Sequence, residues 1–353
     1  MAKVLINFCD FTLHTWLEGW ITSTAQHTEY TTGRWGSPYR AYKNDGSTTS
    51  SYPSSTQSDT QDIGTNYIDG AYVVSVYNVT INSGGVCFQV GDGTVGCQLT
   101  FVTSHEANTV SVYRGTSSGT LLQTASAGVA LNRAASAWND IQIAWKIDPT
   151  TGYVWLRANG TVILNTTSAN TRNTANTRWN RTVFGGNTAA IYYGDAGWFD
   201  MGGDAASTLH GAYRSYWTYP TGDNTVQMTP NSGANNFSRV NNDDSDTTYV
   251  SSTTTGQIDR FDISSSWVAT GADVAALKVM YKARIDDATA RTLRPKLWSN
   301  GVVANGVTYS VPSSYTLRGA LLADLILLDP NTAAAWGTGN AAQTVDVGYE
   351  LIS

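Results

Sequence analysis

The sequence predicts an all-β protein built as two antiparallel β-sandwich domains. Three observations carry this expectation. Apolar residues recur at every second position over long stretches, turn-forming residues punctuate the chain at short intervals, and only 14% of residues are charged. Helix surfaces favour Glu, Lys and Arg, whereas Gly, Ser, Thr and Asn between apolar runs belong to turn-rich sheet. At 353 residues the chain is long enough for two domains, taking ~150 residues as a typical size.

The elements follow in order. "AYVVSVYNVTI" (71–81) is apolar on both faces at its start, as a central strand covered on both sides would be. In "VCFQVGDGTVGCQL", Cys87 and Cys97 lie symmetrically about Asp92 and could face each other across a hairpin. With three cysteines in all, reduced thiols are the expectation. Next, Ile141, Ile143, Trp145 and Ile147 take one face of a strand, and Gln142, Ala144 and Lys146 take the other. "DPTTG" then turns the chain, Val154 and Leu156 resume the inward face, and "ANG" (158–160) turns it again. A small-residue stretch, "MGGDAASTLHG", suggests a join, giving domains 1–205 and 206–353. Beyond it Leu277, Val279, Tyr281, Ala283 and Ile285 alternate with Lys278, Met280, Lys282 and Arg284. Leu293 and Leu297 alternate with Arg294, Lys296 and Trp298, and Val345, Val347, Tyr349 and Leu351 point inward at the end.

Charge and hydropathy narrow the function. A formal charge of -6 argues against a nucleic-acid partner, which needs a concentrated basic surface. No apolar run approaches the ~18 residues of a membrane span. The opening "MAKVLINFCDFTLHTW" is interrupted by Asp10 and lacks a small-residue cleavage site, so synthesis in the cytosol without a signal peptide is expected.

Several motifs invite chemistry. "NNDDSDTTYVSS" (241–252) places Asp244, Asp246 and Thr248 at calcium-loop spacing, but Tyr249 stands where Gly is needed and Thr255 where Glu is needed. A polar connection entering a strand fits better, with a looser calcium site the alternative. "GDGTVG" (91–96) matches the dinucleotide-binding glycine pattern, yet strand-like residues follow it instead of a helix. "GTSSG" (115–119) puts Ser117 in a nucleophile-elbow pattern, again without a helix, and with His210 the only histidine downstream. Four histidines, His14, His27, His105 and His210, show no metal-site spacing. The four glutamates, Glu18, Glu29, Glu106 and Glu350, form no carboxylate motif of the glycosidase kind; catalysis by aspartates alone is the alternative. No catalytic or metal residue and no cofactor are therefore expected. The aromatic cluster Trp16, Trp20, Trp35 and Tyr39 suits a sandwich edge, a sugar-stacking platform or an oligomer contact. By alternation Tyr153, Trp155 and Trp298 point outward and are candidate ligand or interface residues.

Two segments together carry a family resemblance. "WNDIQIAWKIDPTTGYVWLRANGTVILNTT" with "IYYGDAGWFDM" resembles the laminin-G/concanavalin-like jelly roll of tailed-phage structural proteins. "LHGAYRSYWTYPTGDN", "NNDDSDTTYVSSTTTGQIDRFDI", "ALKVMYKARIDDATARTLRPKLWSNG" and "DPNTAAAWGTG" are similar, in order, to the C-terminal module of such virion proteins. The likeness spans about 70–353, with departures at Ala196 or Gly197 and at Gly337, where acidic residues are usual. It implies a non-enzymatic virion component, attached to tail or capsid, working as a homo-oligomer with other virion proteins and presenting a lectin-like face, with host-surface glycans as candidate ligands. A carbohydrate-binding adhesin and a glycan-degrading enzyme are the competing readings.

Overall fold

The computed structural model describes residues 4–9, 27–30, 41–44, 67, 69–77, 85–92, 96–104, 108–128, 137–184, 191–201, 218–241, 247–264, 274, 276–313, 316–318, 325–326, 328–334, 336 and 344–353. The chain divides into two compact units, Met1–Ser215 and Tyr216–Ser353. The expected join at 205/206 falls a little before that division.

Unit 1 contains β1 (Val4–Cys9), β2 (His27–Tyr30), β3 (Ala41–Asn44), β4 (Asp69–Tyr77), β5 (Gly85–Gly91) and β6 (Cys97–Ser104). It continues with β7 (Thr109–Arg114), β8 (Thr120–Ser126), β9 (Trp138–Lys146), β10 (Gly152–Ala158), β11 (Thr161–Ala169), β12 (Arg181–Phe184) and β13 (Ile191–Asp200). The larger sheet runs β11-β10-β9-β4-β13-β3-β2, with β1 also on β13; the smaller runs β12-β5-β6-β7-β8. All pairings are antiparallel. The region expected as a central strand is one: β4 lies between β9 and β13.

The two sheets meet through apolar side chains, among them those that alternation assigned inward on β9 and β10, of which Ile141 is only half-buried. Ile143, Trp145, Ile147, Val154, Leu156 and Leu164 are all buried, as are Phe88, Val90, Leu99 and Phe101 of the smaller sheet. Trp145 bridges the layers, its ring centroid 5.7 Å from Phe88 and 5.0 Å from Trp179. Trp179 lies against Gly70, where a Cβ would come within 2.3 Å of its ring, and its indole N–H donates to Asp69 O at 2.9 Å. The glycine is what lets the indole reach the sheet.

The turns are those the sequence announces. Asn159 (φ 46°) and Gly160 (φ 81°) join β10 to β11. Asp148 caps the "DPTTG" turn, accepting from the backbone N–H groups of Thr150 (2.8 Å) and Thr151 (2.7 Å). "GDGTVG" ends β5 and leads into β6, with the Asp92 N–H bonded to Gly96 O at 3.0 Å. "GTSSG" links β7 to β8 and leaves Ser117 exposed. Cys97 is a buried thiol in no disulfide whose cross-strand neighbour is Gly91, so it does not face Cys87; the hairpin turns about residue 94 and not about Asp92. One tie has no sequence signature. Fully buried Gln98 accepts from the Asn173 N–H at 2.7 Å and donates to Thr174 Oγ1 at 2.9 Å, fastening the 173–178 segment to the smaller sheet.

Unit 2 contains β14 (Pro220–Thr225), β15 (Thr229–Pro230), α1 (Phe237–Val240), β16 (Val250–Ser251), β17 (Ile258–Ile263), β18 (Leu277–Lys278) and β19 (Tyr281–Ala283). Then come β20 (Thr292–Ser299), β21 (Val302–Asn305), β22 (Tyr309–Ser310), β23 (Thr316–Arg318), β24 (Leu325–Ile326) and β25 (Val345–Leu351). Its main sheet runs β14-β17-β25-β20-β21, with β22 also on β20. Pro295 sits on the flank of β20 where β21 leaves, so its missing N–H interrupts no pairing and its carbonyl accepts from Gly306 N at 2.8 Å. The strand expected over 277–285 is broken into β18 and β19, which pair with different partners, β24 and β23. The core of unit 2 packs Val274, Val279 and Trp336, with half-buried Leu277 of β18, on Leu297 and Val345 of the main sheet. The expected strand entry at "TTYVSS" is β16, paired with β15; Asp243, Asp244 and Asp246 lie outside the described residues.

A buried aspartate anchors one flank of this sheet. Asp259 is 0% exposed and accepts from Gln227 N (2.8 Å), Met228 N (2.9 Å) and Asn236 Nδ2 (2.6 Å). Asp223 accepts from the N–H groups of Asn236 and Phe237 at 3.0 and 2.6 Å, where α1 begins. Together they fold 227–237 back over β17.

Candidate functional site

Trp16, Trp20, Trp35 and Tyr39 lie outside the described residues. Tyr153, Trp155 and Trp298 are described, and each stands on the sheet face opposite the apolar core, as alternation placed it. None is open, however: they are 8%, 7% and 9% exposed. Alternation fixes which face a residue takes, but not what lies over that face.

On the outer face of the larger sheet of unit 1, a ladder runs Asn165–Trp155–Ala144–Ala71–Phe199 across β11, β10, β9, β4 and β13. Ala144 and Ala71 are 0% exposed, small residues between two large rings. The ladder on one side of it pairs Val162, Arg157 and Gln142, and the ladder on the other side pairs Tyr153, Lys146 and Asp69. The Arg157 guanidinium lies 5.1 Å from the centre of the Trp155 ring. A cation held on an indole face is oriented as well as attracted, so the buried ring fixes the plane in which Arg157 presents its donors. Around this pair stand exposed Asn165 and half-buried Lys146, whose Nζ donates to Thr151 Oγ1 at 2.7 Å.

A second polar face lies on the main sheet of unit 2. Arg260 and Asp262 (β17), Asp346 and Glu350 (β25), and Arg294, Lys296 and Trp298 (β20) share it, by register and by alternation. Asp262 and Asp346 are directly opposite each other on adjacent strands, a carboxylate pair assembled from two distant segments of the sequence. Arg260 donates to Asp346 Oδ2 through Nε (2.8 Å) and Nη2, and its guanidinium stacks 5.0 Å from the Trp298 ring. Glu350 accepts from Arg294 Nη2 at 2.6 Å and from Lys296 Nζ at 2.8 Å. Burial raises the Asp346 carboxyl above the ordinary range; the Arg260 hydrogen bond and charge oppose the rise, and facing Asp262 adds to it. Burial also pushes Glu350 up, but the bonds from Lys296 and Arg294 win and hold it below its ordinary value. Asp346 Oδ1 is buried with no hydrogen-bond partner among the described residues.

Such a pair is the raw material of acid–base chemistry, but Asp346 is only 1% exposed and its other oxygen is committed to Arg260. Reading the sequence strand by strand did not reveal the pair, because its two members come from distant strands and the acid at strand spacing from Asp346 is Glu350, which is engaged by Arg294 and Lys296. Laying the polar faces of "IDRFDI" and "VDVGYEL" side by side is the signal that finds it. Among the described residues, no three His, Cys, Asp or Glu side chains gather as a metal ion would need.

No family model matches the sequence. No curated protein matches it either. Solved structures with a similar course include a double mutant of the alginate lyase Aly36B in complex with alginate tetrasaccharide (13% identity, 38% of this chain and 70% of that chain, TM-score 0.30). The Ruminococcus gnavus IT-sialidase CBM40 bound to alpha2,3 sialyllactose is another (19%, 38% and 75%, TM-score 0.27). A third is the potassium-bound carbohydrate recognition domain of Emp46p (10%, 38% and 75%, TM-score 0.28). Likenesses this distant do not assign a ligand to this chain.

Proposed function

We propose that this chain is a non-catalytic structural component of a tailed-phage particle whose first unit binds glycans as a lectin-like sandwich. The observation that carries the glycan reading is the Trp155–Arg157 stack on the outer face of the larger sheet, with exposed Asn165 opposite Trp155. Guanidinium and amide groups offer the planar hydrogen-bonding fork that sugar hydroxyls accept and donate to. With the rings of Tyr153 and Trp155 nearly covered, recognition in this reading is led by the rim, and Trp155 sets the angle of Arg157. The particle assignment is supported by the resemblance over 70–353, most of all by the order of the C-terminal segments. The non-catalytic assignment is supported by the burial of Asp346 and its engagement by Arg260, which leave the carboxylate pair no open approach for a glycosidic oxygen.

Calorimetric titration with oligosaccharides cut from the host-surface polysaccharide tests the glycan reading. Arg157→Ala and Asn165→Ala should each weaken binding about fivefold, as expected for the loss of a ~1 kcal/mol hydrogen bond, with the thermal midpoint unchanged. A wild-type chain that binds no glycan, or variants that bind as well as wild type, would refute it. Immunogold labelling of purified particles tests the placement separately: label on the head or tail supports it, and unlabelled particles overturn it.

A further inference from the structure

The open edge of the main sheet of unit 2 takes no part in either polar face. β21 is the last strand in that sheet's order, and its one partner among the described residues is β20. Asn300 (φ 48°) and Gly301 (φ 85°) form a two-residue turn of the I′ kind. The flanking Ser299 and Val302 are therefore a hydrogen-bonded pair, as are Leu297 and Ala304 two steps on. It follows that the N–H and C=O groups of Val303 and Asn305 point away from β20, to the unpaired side.

Natural edge strands are guarded by shortness or, within the strand, by charge, proline or a bulge. Four-residue β21 is short, but it has no charge, proline or bulge. No charged residue occurs from Leu297 to Leu317, and Val302 and Val303 are 44% and 40% exposed, with Val307 just beyond at 43%. We propose that β21 pairs with β21 of a second copy of this chain, antiparallel, about a twofold axis at Ala304. This inference is independent of the glycan reading.

Two features favour a second copy as the occupant. About a twofold axis each side chain meets itself or a near neighbour, so a charge anywhere in the strand would face its like; a neutral strand pairs with itself without that repulsion. The register also fits. Setting Val303 against Asn305 of the second copy satisfies all the outward groups with about four hydrogen bonds. It places Ala304 opposite Ala304 of the second copy at the close, non-hydrogen-bonded position, where a small side chain is needed.

The test uses the full chain. Light scattering behind size exclusion should give twice the 37.9 kDa mass of one chain. Val303→Lys, which brings like charges together, and Val303→Pro, which removes an outward N–H and no bond to β20, should each return it to the single-chain mass. Ala304→Cys should form an interchain disulfide on mild oxidation, because directly opposed positions lie within bridging reach. Far-ultraviolet circular dichroism checks that the variants fold. A monomeric wild type overturns the proposal, as does a dimer that survives both Val303 variants. Failure of Ala304→Cys to cross-link while the Val303 variants dissociate the dimer overturns the twofold register.

Discussion

Replacing Asp259 by alanine tests the claim that one buried carboxylate holds 227–237 on the main sheet of unit 2. The substitution strands three donors: the N–H groups of Gln227 and Met228 and the Nδ2 of Asn236. Gln227 is exposed and its N–H can turn to water, whereas Met228 and Asn236 are 6% and 0% exposed and theirs cannot. Each buried donor left unpaired costs about 1–3 kcal/mol, partly offset because a carboxylate no longer has to be desolvated. On those figures the expected loss is about 3 kcal/mol. Asp259→Asn keeps one acceptor oxygen for the two backbone donors but turns its amide toward Asn236 Nδ2, donor against donor, so about half the loss is expected. With two units in one chain, a global unfolding curve mixes two transitions. Hydrogen exchange followed by mass spectrometry, read on peptides spanning β17 and β25, isolates unit 2 instead. Opening free energies within ~0.5 kcal/mol of wild type for both variants would refute the assignment of Asp259 as the anchor.

Two further outcomes are expected. Gly70→Ala would drive a Cβ to 2.3 Å from the Trp179 ring, which is pinned by Trp145 and by its bond to Asp69 O. A loss of about 2–3 kcal/mol should appear as faster exchange in β9 peptides, and unchanged exchange would count against this packing. The Asp148 carboxyl is held down at about 2, first by the Thr151 N–H and then by the Thr150 N–H. Because its folded value is depressed, its contribution is present above the ordinary carboxylate value and is lost as pH falls through about 2. Opening free energies read by hydrogen exchange on peptides spanning β9 and β10 should therefore drop more steeply between about pH 4 and about pH 2 in wild type than in Asp148→Asn. Parallel curves would show that the turn does not depend on this charge.

What the sequence disclosed was what local chemistry encodes. Period-two patterning placed Ile143, Trp145 and Ile147 inward on β9, and it put Leu293 and Leu297 of β20 opposite Lys296 and Trp298. Turn chemistry was as readable: "ANG" requires positive φ at Asn159 and Gly160, and "GDGTVG" with strand residues after it could only be a hairpin. What escaped is set by long-range pairing. The meeting of Asp262 with Asp346 depends on β25 choosing β17 as a neighbour, and nothing within either strand specifies that choice. Exposure escaped as well: alternation does not foresee that the Arg260 guanidinium of β17 stacks on Trp298 or that Arg157 folds over Trp155. The break between β18 and β19 was hidden because the alternation continues through it, while the two halves pair with different ribbons.

The position of β25 has a consequence for how the molecule is made. It is the last strand of unit 2 in sequence, yet it lies between β17 and β20, joined to both along nearly its whole length. A ribosome delivers the chain from its N-terminus, so β17 and β20 emerge first and have no sheet to complete until residues 345–351 follow. Every nascent chain stopped short of Val345 would carry two unmatched strand edges and an uncovered Leu297, which are marks that chaperones and proteases recognise. Within unit 2, β25 is thus the keystone: β14 with β17 and β20 with β21 become one sheet only once residues 345–351 are in place.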